Sequence, residues 1–96
     1  MRAEEIPTIF IGRKGLMNYI VTAMSMIMNK DTKKIRICAR GAGISRAVDV
    51  AEILRTRYLK NLVEIESVKI GTSTVKNPEG RIDRISTIEI ILAKKG

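Results

Sequence analysis

Apolar and polar positions along the chain switch between two periods, and the switches mark its elements. Ile6 to Ile11 is a short β-branched and aromatic run ending at Gly12, which predicts a strand. From Lys14 the period becomes helical: Leu16, Tyr19, Ile20, Ala23, Met24 and Ile27 fall on one stripe. Met17, Val21 and Met28 widen that stripe, so the helix is expected to be covered by a sheet below and a second subunit beside it. Asn29-Lys30-Asp31 ends it. Lys33 to Arg40 then alternates, with Ile35, Ile37 and Ala39 on one face and Lys34, Arg36, Cys38 and Arg40 on the other. Gly41-Ala42-Gly43 breaks this strand. A second helix follows with Ile44, Ala47, Val48, Ala51, Leu54 and Tyr58 as its expected core stripe and Arg46, Asp49, Glu52 and Arg57 outside it.

Two further strands close the chain, Glu64 to Val75 and Arg84 to Leu92, around a turn at residues 76–83 marked by Pro78 and Gly80. The order β-α-β-α-β-β predicts an α/β sandwich, a four-stranded sheet carrying both helices on one face. Residues 1–96 are expected to form a single domain. The last hairpin is longer than a sheet of short strands can pair, so residues 72–86 are expected to project as an arm.

Charge then changes the picture. Eighteen Lys and Arg oppose ten Asp and Glu, giving +8 on 96 residues, and the first 48 residues hold nine basic side chains against three acidic. Such an excess favours a polyanionic partner, nucleic acid before an anionic membrane surface. With no His there is no Ser-His-Asp triad, Cys-His pair or histidine metal site. A lone Cys38 forms no internal disulfide, which suits a reducing interior, and the apolar runs are too short to span a bilayer. The expectation is a cytoplasmic, non-enzymatic binding protein that needs no cofactor.

Three segments concentrate the cations. Gly12-Arg13-Lys14-Gly15 sits where a strand meets a helix N-terminus, whose unpaired backbone N–H groups suit phosphate; the alternative is a turn flanked by solvated charges. Arg40-Gly41-Ala42-Gly43-Ile44-Ser45-Arg46 joins the next strand and helix, with Ser45 able to cap the helix or donate to phosphate. It is no dinucleotide fingerprint, since Arg46 stands at the third glycine. The hairpin tip carries Lys76, Arg81 and Arg84, partly cancelled by Glu79 and Asp83; it fits an arm in a nucleic-acid groove or a solvated loop. Asp49 and Glu52 read as salt-bridge partners of Arg46 and Arg55. Met17, Met24, Met26 and Met28 read as core or interface filler rather than metal ligands. With 3% aromatics, and Phe10 and Tyr19 expected to be buried, no stacking platform for single-stranded bases is expected.

These stretches together resemble the Alba family of archaeal chromatin proteins. The resemblance runs through Ile11-Gly12-Arg13-Lys14 with Met17-Asn18-Tyr19, then Ala39-Arg40-Gly41 with Ile44 to Asp49. It continues in Glu52-Ile53 with Arg55 and Arg57, and in Ser86 to Ile90. It implies a fold like the C-terminal domain of translation initiation factor three, and a homodimer whose hairpins follow the minor groove. It also implies sequence-independent binding of double-stranded DNA and RNA, dimer–dimer contacts, and coating and compaction of the chromosome in the nucleoid. Arg13, Lys14, Arg40 and Arg46 are then the expected phosphate-binding surface, Asn18 and Ser45 neutral donors, and Lys76, Arg81 and Arg84 the arm cations. Departures matter too. Arg13 stands at the lysine usually acetylated in the family, which leaves Lys14 as the candidate for acetylation. Gly15 stands where proline is common and Ala42 where arginine is frequent. Tyr58 takes the place of a phenylalanine used in dimer–dimer packing. Two alternatives stay open: an RNA-binding subunit acting on structured RNA, and a protein-interaction module whose charge serves solubility.

Overall fold

The computed structural model describes residues 5–96. Strand β1 covers Thr8–Phe10, helix α1 Leu16–Met28, β2 Lys34–Arg40, α2 Ile44–Ile53, β3 Val63–Lys76 and β4 Ile82–Lys94. A 3₁₀ turn at Gly41–Gly43 precedes α2, and a π-turn at Leu54–Tyr58 follows it. The sheet order is β1-β2-β4-β3, with β1 parallel to β2 and every other pairing antiparallel. This is the expected β-α-β-α-β-β fold, an α+β two-layer sandwich. The strand at Ile6–Ile11 shortens to three residues because Pro7 has no N–H for the ladder. The bonds Arg36 N–H to Pro7 O and Ile11 N–H to Cys38 O, 2.9 Å each, mark its two ends.

The core lies between sheet and helices. Ile35, Ile37 and Ala39 of β2 face Leu92, Ile90 and Ile88 of β4 in register, and Ile20, Ala23 and Ile27 of α1 pack among the same buried residues. Alternate residues of β2 and β4 put a continuous apolar layer under the helices, while Ile91 and Ala93 of β4 are buried as well, on the other face. The second helix is rotated from its expected stripe. Ala47, Val50, Ala51 and Leu54 are buried, an i, i+3, i+4, i+7 set, while Val48 and Tyr58 are exposed. The π-turn explains Tyr58. Leu59 N–H bonds to Leu54 O at 2.8 Å, five residues back, and the extra residue turns Tyr58 outward and delivers Leu59 to the core.

One other expectation is corrected. Phe10 is 76% exposed, whereas Tyr19 is buried as expected. Phe10 pairs with Cys38, on the sheet face away from the helices, while Ile9 and Ile37 point inward. Met17, Val21 and Met28, which broadened the α1 stripe, are exposed in the single chain, whereas Met24 and Met26 pack against the core.

The β3–β4 hairpin carries a bulge between Ile65 and Ser67, which resets the alternation so that Val68 and Ile70 join Val63 and Ile65 on the helix side. β2 pairs with β4 only from Thr87 to Ala93. From Thr72 to Ser86, among the described residues, the hairpin therefore pairs only with itself and extends beyond the end of β2. None of the described helices is long and apolar enough to cross a membrane.

Candidate nucleic-acid interface

Parallel β1 and β2 both end at the same edge of the sheet, and β4 enters from that edge. The fold thus gathers the Gly12–Gly15 loop, Arg40, the Gly41–Gly43 turn and the root of the hairpin at one end. The first loop is held by side chains. Tyr19, one helical turn into α1, turns its ring into the core, and its Oη accepts Gly12 N–H at 2.8 Å and Lys14 N–H at 2.9 Å. Arg46 Nη1 donates to Lys14 O, tying the start of α2 to the same loop. Arg13 and Lys14 project from this fixed backbone into water. Asn18 lies beside them in the first turn of α1, its Nδ2 3.5 Å from the point where a Cβ on Gly15 would sit. Two of the backbone N–H groups expected to await phosphate are therefore occupied by Tyr19. What the loop offers an anion is chiefly its two side-chain cations.

Arg40 is exposed at the end of β2. Gly41 next to it has φ 56°, and a Cβ there would meet Ile85 Cδ1 at 2.9 Å, so only glycine lets the hairpin root settle on this turn. Ser45 is exposed and makes no capping bond: α2 begins from Gly43 straight out of the 3₁₀ turn, without a side-chain cap. Arg46 bonds to Lys14 O rather than pairing with Asp49. Arg55 does pair as expected, gripping Glu52 through two bonds of 2.7 Å that hold the carboxyl below its ordinary range.

Among the described residues the ion pairs are Lys34–Glu66, Arg36–Glu89 and Arg55–Glu52. Arg13, Lys14, Arg40, Lys76, Arg81 and Arg84 belong to none of them. At the hairpin tip Asp83 forms no ion pair among the described residues; its Oδ2 accepts from Asn77 Nδ2 at 3.1 Å, and its charge still offsets part of the tip's cations. Asn77 organises the whole tip: its Oδ1 also accepts Glu79 N–H and Arg81 N–H at 3.0 and 2.9 Å, an Asx turn signalled in sequence by Asn77-Pro78. Gly80 completes it at φ 85°. Lys76 and Arg84 lie on the hairpin's helix-side face, one step from each other in register, and Arg81 stands in the turn. The loop cluster and the tip cluster remain separate, joined only by the length of the hairpin.

The Alba family model matches residues 7–72, which include both strand-to-helix loops. The chain belongs to the Alba family. Its members are generally nucleic-acid binders without enzymatic activity. Among solved structures, Alba from Thermoplasma volcanium superposes with a TM-score of 0.83 at 38% identity, over 90% of this chain and 98% of that one. ALBA1 from Trypanosoma brucei is more distant, with a TM-score of 0.67 at 19% identity over 95% and 71%, and shares the fold. Within this Alba fold, Tyr58 stands on the helix layer with its Oη 4.0 Å from Met17 Sδ. Exposed Met17, Val21 and Tyr58 thus offer apolar surface on α1 and on the turn that follows α2. Gly15 caps α1 with φ −64° and ψ 155°, a conformation proline also adopts.

Tyr19 and Asn77 both escape a reading of charge. Tyr19 is disguised as one more member of an apolar stripe, and its hydroxyl, a polar group that must find a partner when buried, is the only sign of more. Cys38, half-buried on β2, has its thiol pushed up by burial and then by Glu89, against the opposing pull of Arg36.

Proposed function

We propose that this Alba-family chain binds double-stranded DNA, and RNA as well, through phosphate contacts that do not read sequence. On this reading it coats and compacts chromosomal DNA in the nucleoid of the cytoplasm. The observation that carries the reading is the clamp on the first loop. Tyr19 Oη and Arg46 fix the backbone from which Arg13 and Lys14 project, at the same sheet end as Arg40. A cation on a pre-ordered loop loses less freedom on binding phosphate than one on a loose turn. Asn18 and Ser45 serve as neutral donors at the rim. Residues 72–86 act as an arm that carries Lys76, Arg81 and Arg84 along the groove.

A homodimer is part of the proposal. β3 is an edge strand whose helix-side residues Ile65, Val68 and Ile70 are exposed in the single chain, Ile70 by 78%. A long apolar edge of this kind invites a partner. The Met17–Val21–Tyr58 surface is proposed for contacts between dimers on DNA. Acetylation of Lys14 removes a charge from the fixed loop and weakens binding.

The test is a salt titration on unrelated duplexes. With six to ten phosphates neutralised per dimer, affinity falls about 10³–10⁵-fold between 50 and 200 mM salt. R13A/K14A weakens all duplexes about equally and flattens the slope by roughly one unit per lost contact. A flat titration of the unaltered protein refutes the mechanism. Preferential competition by a folded, transfer-RNA-like molecule over duplex DNA would make structured RNA the main target instead.

A further inference from the structure

We infer that the open face of the sheet beside β1 is a binding site for an unpaired base of single-stranded nucleic acid, with Phe10 as its stacking platform. The inference rests on the phosphate-binding reading above and adds a second ligand class to it. Phe10 is the only phenylalanine in the chain, and its side chain is 76% exposed. Most of the other strongly exposed apolar side chains lie on the helices or on the helix-side face of the β3–β4 hairpin, where a second copy of the chain covers them on the reading above. Phe10 alone of the three aromatic residues faces the opposite side of the sheet.

Its surroundings suit a base. On the same face, Phe10 has Cys38 as its register partner, and Thr8 and Arg36 form the next step back along the strands. Cys38 is small, so no bulky neighbour covers the ring from β2. Its raised thiol stays neutral at ordinary pH and adds no charge against phosphate. The nearest carboxylate on that face, Glu89, lies 3.2 Å from Arg36 Nε, which offsets its charge. Arg36 is further steadied by Thr8, its Nη1 donating to Oγ1 at 3.4 Å.

The site also continues into the cationic loop. Arg40 lies two residues beyond Cys38 on the same face of β2, which places it about 8 Å from Phe10 by strand rise and spacing. Arg13 and Lys14 follow Phe10 by three and four residues around the sheet end. A strand of nucleic acid held by a phosphate on Arg40 therefore has Phe10 on the same face for a neighbouring base. An aromatic platform next to a cationic track is the arrangement that binds single strands without sequence preference. A duplex cannot use it, since its bases are already stacked on one another.

The experiment compares F10A, F10L, F10W and R13A/K14A on a single-stranded oligouridylate of about 12 nucleotides and on a duplex of about 12 base pairs. F10A and F10L should each weaken single-strand binding about 5- to 150-fold and leave duplex affinity within about twofold. F10W should keep single-strand affinity. Since the chain has no tryptophan, the fluorescence of the new indole should quench on the oligouridylate and not on the duplex. Equal affinity of F10A and the unaltered protein for the single strand, or an equal loss on both ligands, overturns the inference, as does an unquenched F10W. Phe10 is exposed, so these variants should unfold at the unaltered midpoint. R13A/K14A separates the two readings. If it weakens both ligands while F10A weakens neither, phosphate binding stands and stacking falls. If it weakens neither, the phosphate reading falls.

Discussion

The two strand-to-helix loops look alike in sequence, each a glycine-bracketed segment with two basic residues at a helix start, yet they are held by different means. The Gly12–Gly15 loop is fixed by side chains from outside itself: Tyr19 Oη takes two of its N–H groups, and Arg46 takes a carbonyl. The Gly41–Gly43 turn is fixed by its own backbone, through a left-handed Gly41 pressed under Ile85 and a 3₁₀ turn that runs into α2. The first therefore presents cations from a braced platform. The second serves mainly to seat the hairpin root and to aim Arg46 at its neighbour. Similar charge in sequence hides different mechanical roles.

The largest blow to this contrast falls on Gly41. G41A forces an L residue into φ 56° with its Cβ against Ile85, and should cost about 1–3 kcal/mol in urea unfolding. G43A, at φ −80° with its nearest contact at 3.4 Å, should cost clearly less. Next comes Y19F, which keeps the ring in the core and removes the acceptor for Gly12 and Lys14. It should lose about 1–2 kcal/mol of stability, and amide exchange should quicken at those two positions while β2 and β4 stay protected. If exchange at Gly12 and Lys14 is unchanged, the brace is not what orders the loop. G15P should be stabilising by about 0.4–1 kcal/mol, because φ −64° already suits proline and the Gly15 N–H makes no hydrogen bond among the described residues. The smallest effect belongs to S45A. Ser45 caps nothing, so its stability should change by less than about 0.5 kcal/mol, whereas a true cap would lose about 0.5–2.

Where one residue's pattern decided its place, the sequence was enough. Ile35, Ile37 and Ala39 alternate and are buried; Leu16 to Ile27 repeat at helical spacing and form α1. The errors came where a neighbour intervened. The expected place of Tyr58 failed because the helix widens into a π-turn at Leu54, which no local spacing announces, and Val48 gave way to Val50 as the residue that faces the core. Phe10 was expected inside because it is aromatic in an apolar run. A three-residue edge strand has two faces, and pairing with β2 turned Phe10 to the open one.

The sequence by itself determined the order of elements, the family, the cationic segments and the chemistry that a chain without histidine cannot do. Periodicity and charge are local properties, and they survive being read one residue at a time. Only the tertiary structure decided which cations meet. Parallel pairing of β1 with β2 brings residue 14 against residue 46, the short reach of β2 leaves the outer hairpin paired only with itself, and a bulge near residue 66 turns Val68 and Ile70 to the helix side. Such contacts depend on strand register and on buried hydroxyls finding partners, and both are settled only when distant segments pack.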